Sequence, residues 1–266
     1  MMGAPFIIRA SSLSELFDCP ARWEAKYIRG MKMPTSGAAR LGTAFHKAAE
    51  VHDLAVFHGY SAPISEVFEV LHETIWNPDE EINWHDQSQN DVERICQDLA
   101  SKYIKGIAST QKYIGIEVRA EPLILSDVGI QLTGTIDRIY QAEDENLGIG
   151  DLKSGRNAVT ASGEVKTSVH KAQMGVYTLL ASHALGEPIT APARIYGYTT
   201  AKTDKGQHIG IGEIESPIDI LLGDDEKPGL LHHAGNILKT GLFFGNAKSM
   251  LCNPKYCPAY ATCKFR

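Results

Sequence analysis

No stretch of the chain approaches the roughly 18 consecutive apolar residues that cross a bilayer, so no membrane-spanning helix is expected. The opening segment MMGAPFIIRASS lacks a basic region leading into an apolar stretch and a cleavage site, so no secretory leader is expected and the cytoplasm is the expected compartment. An excess of basic charge is missing too. The chain has 26 Lys and Arg against 32 Asp and Glu, a formal net charge of -6, which argues against bulk electrostatic adhesion to nucleic acid and leaves only local basic surfaces for such a partner. Internal repeats, low-complexity tracts and Pro/Gly/Ser-rich linkers are absent, which argues against a solenoid and favours a single domain over 1–266. Cysteine is scarce and odd in number, 5 residues, which speaks against a disulfide framework in a chain of this size.

What is present is ample apolar material, 43% of residues, enough for a packed core. Residues 1–112 read as mainly helical. Ser12 and Glu15 stand at capping-box spacing before Leu16, Ala21, Trp23 and Tyr27, which predicts a helix over 11–29 broken near Cys19-Pro20. The run from Arg40 to His58 is rich in helix formers and ends before Gly59. Further helices are predicted over 64–76 and 89–112, the latter from Val92, Ile95, Cys96, Leu99 and Tyr103 at three- and four-residue steps. Residues 113–215 read as the sheet core: IGIEVRAEPLIL, GIQLTGTIDRIY and NLGIGDLK as a three-strand meander, then a polar loop from Ser154, a helix ending at Gly186, and strands ARIYGYTT and GQHIGIGEI. Residues 216–266 hold a last helix, about 228–240, and a cysteine cluster.

Chemistry concentrates on two of those strands. Asp137 lies late in GIQLTGTIDRI, and fourteen residues later LGIGDLKSG carries Asp151 and Lys153. Strand periodicity puts Asp151 and Lys153 on one face. If the strands pair across the acidic turn AEDEN, Asp137 and Asp151 are equidistant from Asp144 and lie side by side. Two such carboxylates suit a hard divalent cation, with the Leu152 carbonyl as a further ligand, and a lysine beside them can activate water or neutralise a phosphorane-like transition state.

The order G-T-I-D-R-I then I-G-D-L-K-S-G resembles the RecB-like branch of the PD-(D/E)xK nuclease superfamily. Upstream, L-G-T-A-F-H-K-A-A-E resembles that branch's helical motif, and downstream Gln173 and Tyr177 form its Q-x-x-x-Y pair. The resemblance covers residues 11 to 177 and resumes at the tail. It implies a restriction-endonuclease-like fold of α/β (α+β) type, a mixed sheet flanked by helices. It further implies a metal site of His46, Asp137, Asp151 and Leu152 holding Mg2+ or Mn2+, and catalytic roles for Asp137, Asp151, Lys153, Gln173 and Tyr177. An imidazole ligand favours Mn2+. Glu50, one turn after His46, is a candidate to orient its imidazole; Glu117 is a lesser candidate for the metal shell. Arg156, Lys166, His170 and Lys171 flank the site as phosphate contacts.

Cys252, Cys257 and Cys263 crowd the tail, and Cys19 stands alone near the N-terminus. This pattern resembles the iron-sulfur module of AddB-type and CRISPR-associated nucleases, implying a [4Fe-4S] cluster that staples the chain ends. Cys252 and Cys257 have four residues between them where the module usually has two, and four cysteines also suit tetrahedral Zn2+. Cys96 falls on an apolar helix face and is expected in the core. The function so implied is a deoxyribonuclease, an exonuclease acting on single-stranded DNA or free ends in recombination, repair, phage DNA processing or CRISPR adaptation. The alternative is a non-cleaving DNA-binding or scaffold subunit on the same fold.

Overall fold

The computed structural model describes residues 4–85 and 87–266; Met1–Gly3, part of the stretch read above for a leader, lie outside the described residues. β1 (Phe6–Arg9) leads into α1 (Leu13–Asp18) and α2 (Pro20–Tyr27). The break between the helices falls at Cys19, whose extended backbone caps α2 while Pro20 takes the first helical position, where a missing N–H costs nothing. After β2 (Thr35–Ser36), α3 (Gly37–Phe57) starts where the Ser36 hydroxyl accepts from the Ala39 N–H. Next come α4 (Ile64–Trp76), β3 (Ile82–Asn83) and α5 (Gln89–Lys105), which Ser88 caps in the same way. α5 stops at Gly106, short of the expected residue 112.

The expected three-strand meander needs correction. The first segment splits into β4 (Tyr113–Arg119) and β5 (Leu123–Leu125), the second into β6 (Ile130–Thr133) and β7 (Thr135–Gln141), before β8 (Leu147–Gly155). Pro122 separates β4 from β5, since it cannot donate to a ladder. Gly134 separates β6 from β7 where the chain passes against Tyr177, and a Cβ there would sit 2.9 Å from that ring. The pieces go to two sheets: β4, β7 and β8 to the main one, β5 and β6 to a three-stranded sheet with β1, which pairs in parallel with β6. The tail of the fold is α6 (Lys171–Leu185), β9 (Ala193–Thr199), β10 (Ile209–Ile214), α7 (Asp219–Leu222) and α8 (Leu230–Thr240).

The main sheet runs β10-β9-β8-β7-β4, antiparallel except at β8–β9. Apolar side chains cover both faces. α3, α4 and α5 pack Leu41, Phe45, Leu71, Leu99 and Tyr103 against Leu152, Tyr196 and Tyr198. On the other face Ile136, Ile149 and Ile195 meet Met174, Val176 and Leu180 of α6, with α8 behind. Each fully buried Leu, Ile or Phe contributes about 1.5–3 kcal/mol, so both layers hold the sheet rigid. The result is the expected restriction-endonuclease-like layout. Cys96 is in the core, its thiol directed at the Leu41 carbonyl.

Candidate active site

The β7–β8 ladder runs from Gln141↔Leu147 to Arg138↔Gly150. One more step in that register sets Asp137 opposite Asp151, as symmetry about Asp144 predicts. There the strands part: the Leu152 N–H donates to Asp137 Oδ2 at 3.0 Å. A carboxylate thus does a backbone carbonyl's work.

α3 brings His46 over this parting. Its Nε2 lies 2.8 Å from the Leu152 carbonyl, an acceptor, so Nε2 carries the proton and Nδ1 presents a lone pair. Nδ1 in turn lies 3.3 Å from Asp137 Oδ2. Two acceptors facing each other at that distance leave a position for a cation. Glu117 completes it: ligand atoms of His46, Glu117 and Asp137 all lie within 4.8 Å of one another. Mixed nitrogen and carboxylate oxygen fits Mn2+ and Mg2+.

Glu117 was only a lesser candidate on sequence. It reaches the site through an irregular strand: β4 shifts register between Tyr113 and Gly115, and Glu117 itself adopts a left-handed backbone, φ 48°. For a non-glycine residue that costs about 1–2 kcal/mol, strain of the kind that gathers at functional sites. Burial, then the neighbouring Asp137 carboxylate, raise the Glu117 carboxyl above its usual range. Pairing signals predict no such bulge.

Asp151 stands beside the trio rather than within it. Fully buried, it forms an ion pair with Lys153 and accepts from Gln173 Nε2 at 3.4 Å. The same Gln173 amide nitrogen lies 3.2 Å from the Tyr177 hydroxyl, so the Q-x-x-x-Y face of α6 closes over the two acids. Burial pushes the Asp151 carboxyl up to about 6, with Asp137 adding to the rise and Lys153 opposing it. A divalent cation nearby would favour the charged form instead.

Two expectations change. Glu50 does not orient His46, because it pairs with Lys47 at 2.7 Å and both imidazole nitrogens are engaged elsewhere. The Leu152 carbonyl accepts from His46 and so holds a ligand rather than joining the trio. Arg156, Lys166 and Lys171 are exposed. His170 is held down to about 4 by burial and by the Lys153 ammonium; it is neutral at pH 7 and offers a phosphate a hydrogen bond but no charge.

Arg138, next to Asp137 in GTIDRI, carries no spacing signal of its own. Fully buried, it donates to Asp53 of α3 at 2.7 Å, to Glu117 at 3.3 Å and to the Asp137 carbonyl at 2.6 Å. One guanidinium therefore ties together the three elements that carry His46, Asp137 and Glu117.

At the far end, Cys19, Cys252, Cys257 and Cys263 line one small cavity walled by Ala21, Leu251, Ala259 and Phe265. The tail is fastened to the Cys19 turn: Asn246 Nδ2 donates to the Asp18 carbonyl at 2.9 Å, and Ser249 Oγ to the Asp18 carboxylate at 2.7 Å. Burial raises the Cys257 thiol, and its nearness to Cys19 and Cys263 adds to the rise. Tetrahedral Zn2+ with bonds of about 2.3 Å sets sulfurs ~3.8 Å apart. A [4Fe-4S] core takes the same four thiolates, so four cysteines around one cavity are a donor set that fits either group.

The model of the PD-(D/E)XK nuclease superfamily matches residues 9–264. No curated protein matches the chain. Matching solved structures comprise 13 chains; one, described as the crystal structure of SSO0001, is 14% identical, covers 97% of this chain and 85% of that one, and superposes with a TM-score of 0.44.

Proposed function

Because the chain belongs to the PD-(D/E)XK nuclease superfamily, we propose that it is a metal-dependent deoxyribonuclease of the RecB-like branch, an exonuclease acting on single-stranded DNA or free ends. The carrying observation is the convergence of His46, Glu117 and Asp137 beside the Lys153–Asp151 pair. Mg2+ or Mn2+ held by that trio supplies Lewis acidity toward a phosphodiester. The rest is work of the chain itself. Asp151 holds the Lys153 ammonium at the mouth of the site, where its compact charge stabilises the negative charge that grows on phosphorus oxygens. Gln173 and Tyr177 fix Asp151 and offer the strand polar contacts, and Arg156, Lys166 and Lys171 bind phosphates.

End-labelled linear and circular single-stranded DNA, incubated with Mn2+ or Mg2+ and separately with EDTA, test this. Linear DNA is expected to be degraded to short products, the circle to survive, and EDTA to stop the reaction. Cleaved circles would replace the exonuclease reading with an endonuclease; intact DNA of both kinds would sink the nuclease reading and leave a non-cleaving DNA-binding role.

For the clasp the same reading gives Cys19, Cys252, Cys257 and Cys263 a [4Fe-4S] cluster, with Zn2+ as the rival. Anaerobically purified protein is expected to be brown, and Cys263→Ser to lose visible absorbance and bound iron. Its melting temperature should fall by more than about 5 °C, since a chain of this size loses roughly 2–4 °C per kcal/mol. Colourless protein with stoichiometric zinc would overturn the cluster.

A further inference from the structure

Two open clefts share Arg9 as a common wall. One reaches the candidate metal site, with Arg119, Asp137 and Tyr177 on its lining. The other runs away from it toward the clasp, lined by Lys26, Tyr27, Lys32, Met33, Lys255 and Tyr256, with Glu80 as its single acidic wall. In a chain of net charge -6 the second cleft is basic on balance, whereas the first sets Arg9 and Arg119 against Glu121 and Asp137. Arg9, Lys32 and Arg119 are exposed and form no ion pair among the described residues, so nothing in the fold consumes their charge.

Aromatic surface interleaves with these cations. Tyr256 is 44% and Tyr27 36% exposed, although the Tyr27 hydroxyl already donates to Glu15 at 3.0 Å, which leaves mainly its ring for a ligand. Among the described residues the Tyr256 hydroxyl has no such anchor, and its ring has the Lys255 ammonium 5.5 Å from its centroid. It and Lys255 lie in the four-residue segment between Cys252 and Cys257, so the clasp presents them to the cleft. Cys257 packs with Ala25, Ala259 and Met31, and Met31 lines the same cleft.

We propose that the joined clefts form a channel for single-stranded DNA, whose phosphates pass Arg119, Arg9 and Lys32 and whose bases stack on Tyr256 on the way to Asp137. This rests on the nuclease reading above and gives it a strand path. Cations alternating with half-exposed rings are the binding surface of single strands, because unpaired bases offer their faces to stack and the backbone tracks the charge. Bases in a duplex are already stacked on one another and give Tyr256 no partner.

Fluorescence anisotropy with a labelled oligothymidylate in EDTA tests the channel while cleavage is blocked, with Mn2+-dependent degradation measured in parallel. Arg9→Glu with Lys32→Glu is expected to weaken binding more than tenfold and to reduce the slope of log K against log salt by about 1.4, near 0.7 per lost phosphate contact. Tyr256→Ala should weaken it severalfold with the slope unchanged. Lys105→Glu with Lys239→Glu, charge-matched and outside both clefts, corrects for the change in net charge, and melting curves confirm folding. If the Arg9/Lys32 variant binds like this control in a preparation whose wild type degrades DNA, the channel assignment is wrong and the nuclease stands. If the wild type neither binds nor degrades DNA, the channel and the nuclease reading fall together.

Discussion

Asp137→Asn is expected to lower Mn2+-dependent cleavage by more than about a thousandfold, a loss of ~4 kcal/mol of transition-state stabilisation, while the metal-free protein melts no lower than wild type. The amide keeps the shape and the oxygen that accepts from the Leu152 N–H, so the local backbone bond survives. Only the charge goes. In the metal-free fold that charge faces Glu117 and Asp151, so its removal relieves repulsion, whereas a cation between His46 and Asp137 loses its hardest ligand. Mn2+ binding followed by electron paramagnetic resonance should therefore weaken together with the rate. Lys153→Met provides the contrast. Lys153 pairs with Asp151 and is absent from the trio, so its loss should reduce kcat by about a hundredfold or more, as for other single charge-stabilising groups, and leave Mn2+ affinity near wild type. An Asp137→Asn protein that still cuts at the wild-type rate would remove Asp137 from the site.

Local spacing made much of this site legible. The pairing of Asp137 with Asp151 follows from a turn centred on Asp144, and a hairpin register is fixed by its own turn. The Lys153–Asp151 and Gln173–Tyr177 contacts follow from periods of two and four. Cys19 and the tail cysteines meet in one cavity, which only a resemblance brought together, since 232 residues lie between Cys19 and Cys252. What stayed hidden is non-local or irregular. β1 is four residues with one buried side chain, and it exists because β6 lies alongside it. Glu117 enters through a register shift and a left-handed residue, neither of which alternating hydrophobicity encodes. Glu50 has the right helical spacing to reach His46, but Lys47, three residues away and of opposite charge, takes it.

Arg138→Met is expected to destabilise the protein by about 3–5 kcal/mol, the usual cost of stripping one partner from a buried ion pair. For a chain of this size that is a fall in melting temperature of roughly 6–20 °C at 2–4 °C per kcal/mol. Asp53 is the reason. It is buried within α3, accepts from Arg138 Nε at 2.7 Å, takes a hydrogen bond from the Tyr103 hydroxyl and lies 2.9 Å from His52 Nδ1; without the guanidinium its charge has, among the described residues, no cation to face except a protonated His52. Arg138→Met combined with Asp53→Asn removes both charges, so the double variant should be more stable than the sum of the two singles implies, and urea denaturation of the four proteins measures that coupling. The same side chain also spans to Glu117 and to the Asp137 carbonyl, while α3 carries His46 two turns before Asp53. A protein that has lost the clamp but is still folded at low temperature should then bind Mn2+ more weakly than wild type, although Arg138 is no ligand. Additive stabilities with unchanged Mn2+ binding would reduce Arg138 to an ordinary core residue. Coupled stabilities with weakened binding would make it the residue through which the fold holds its three candidate ligands in register.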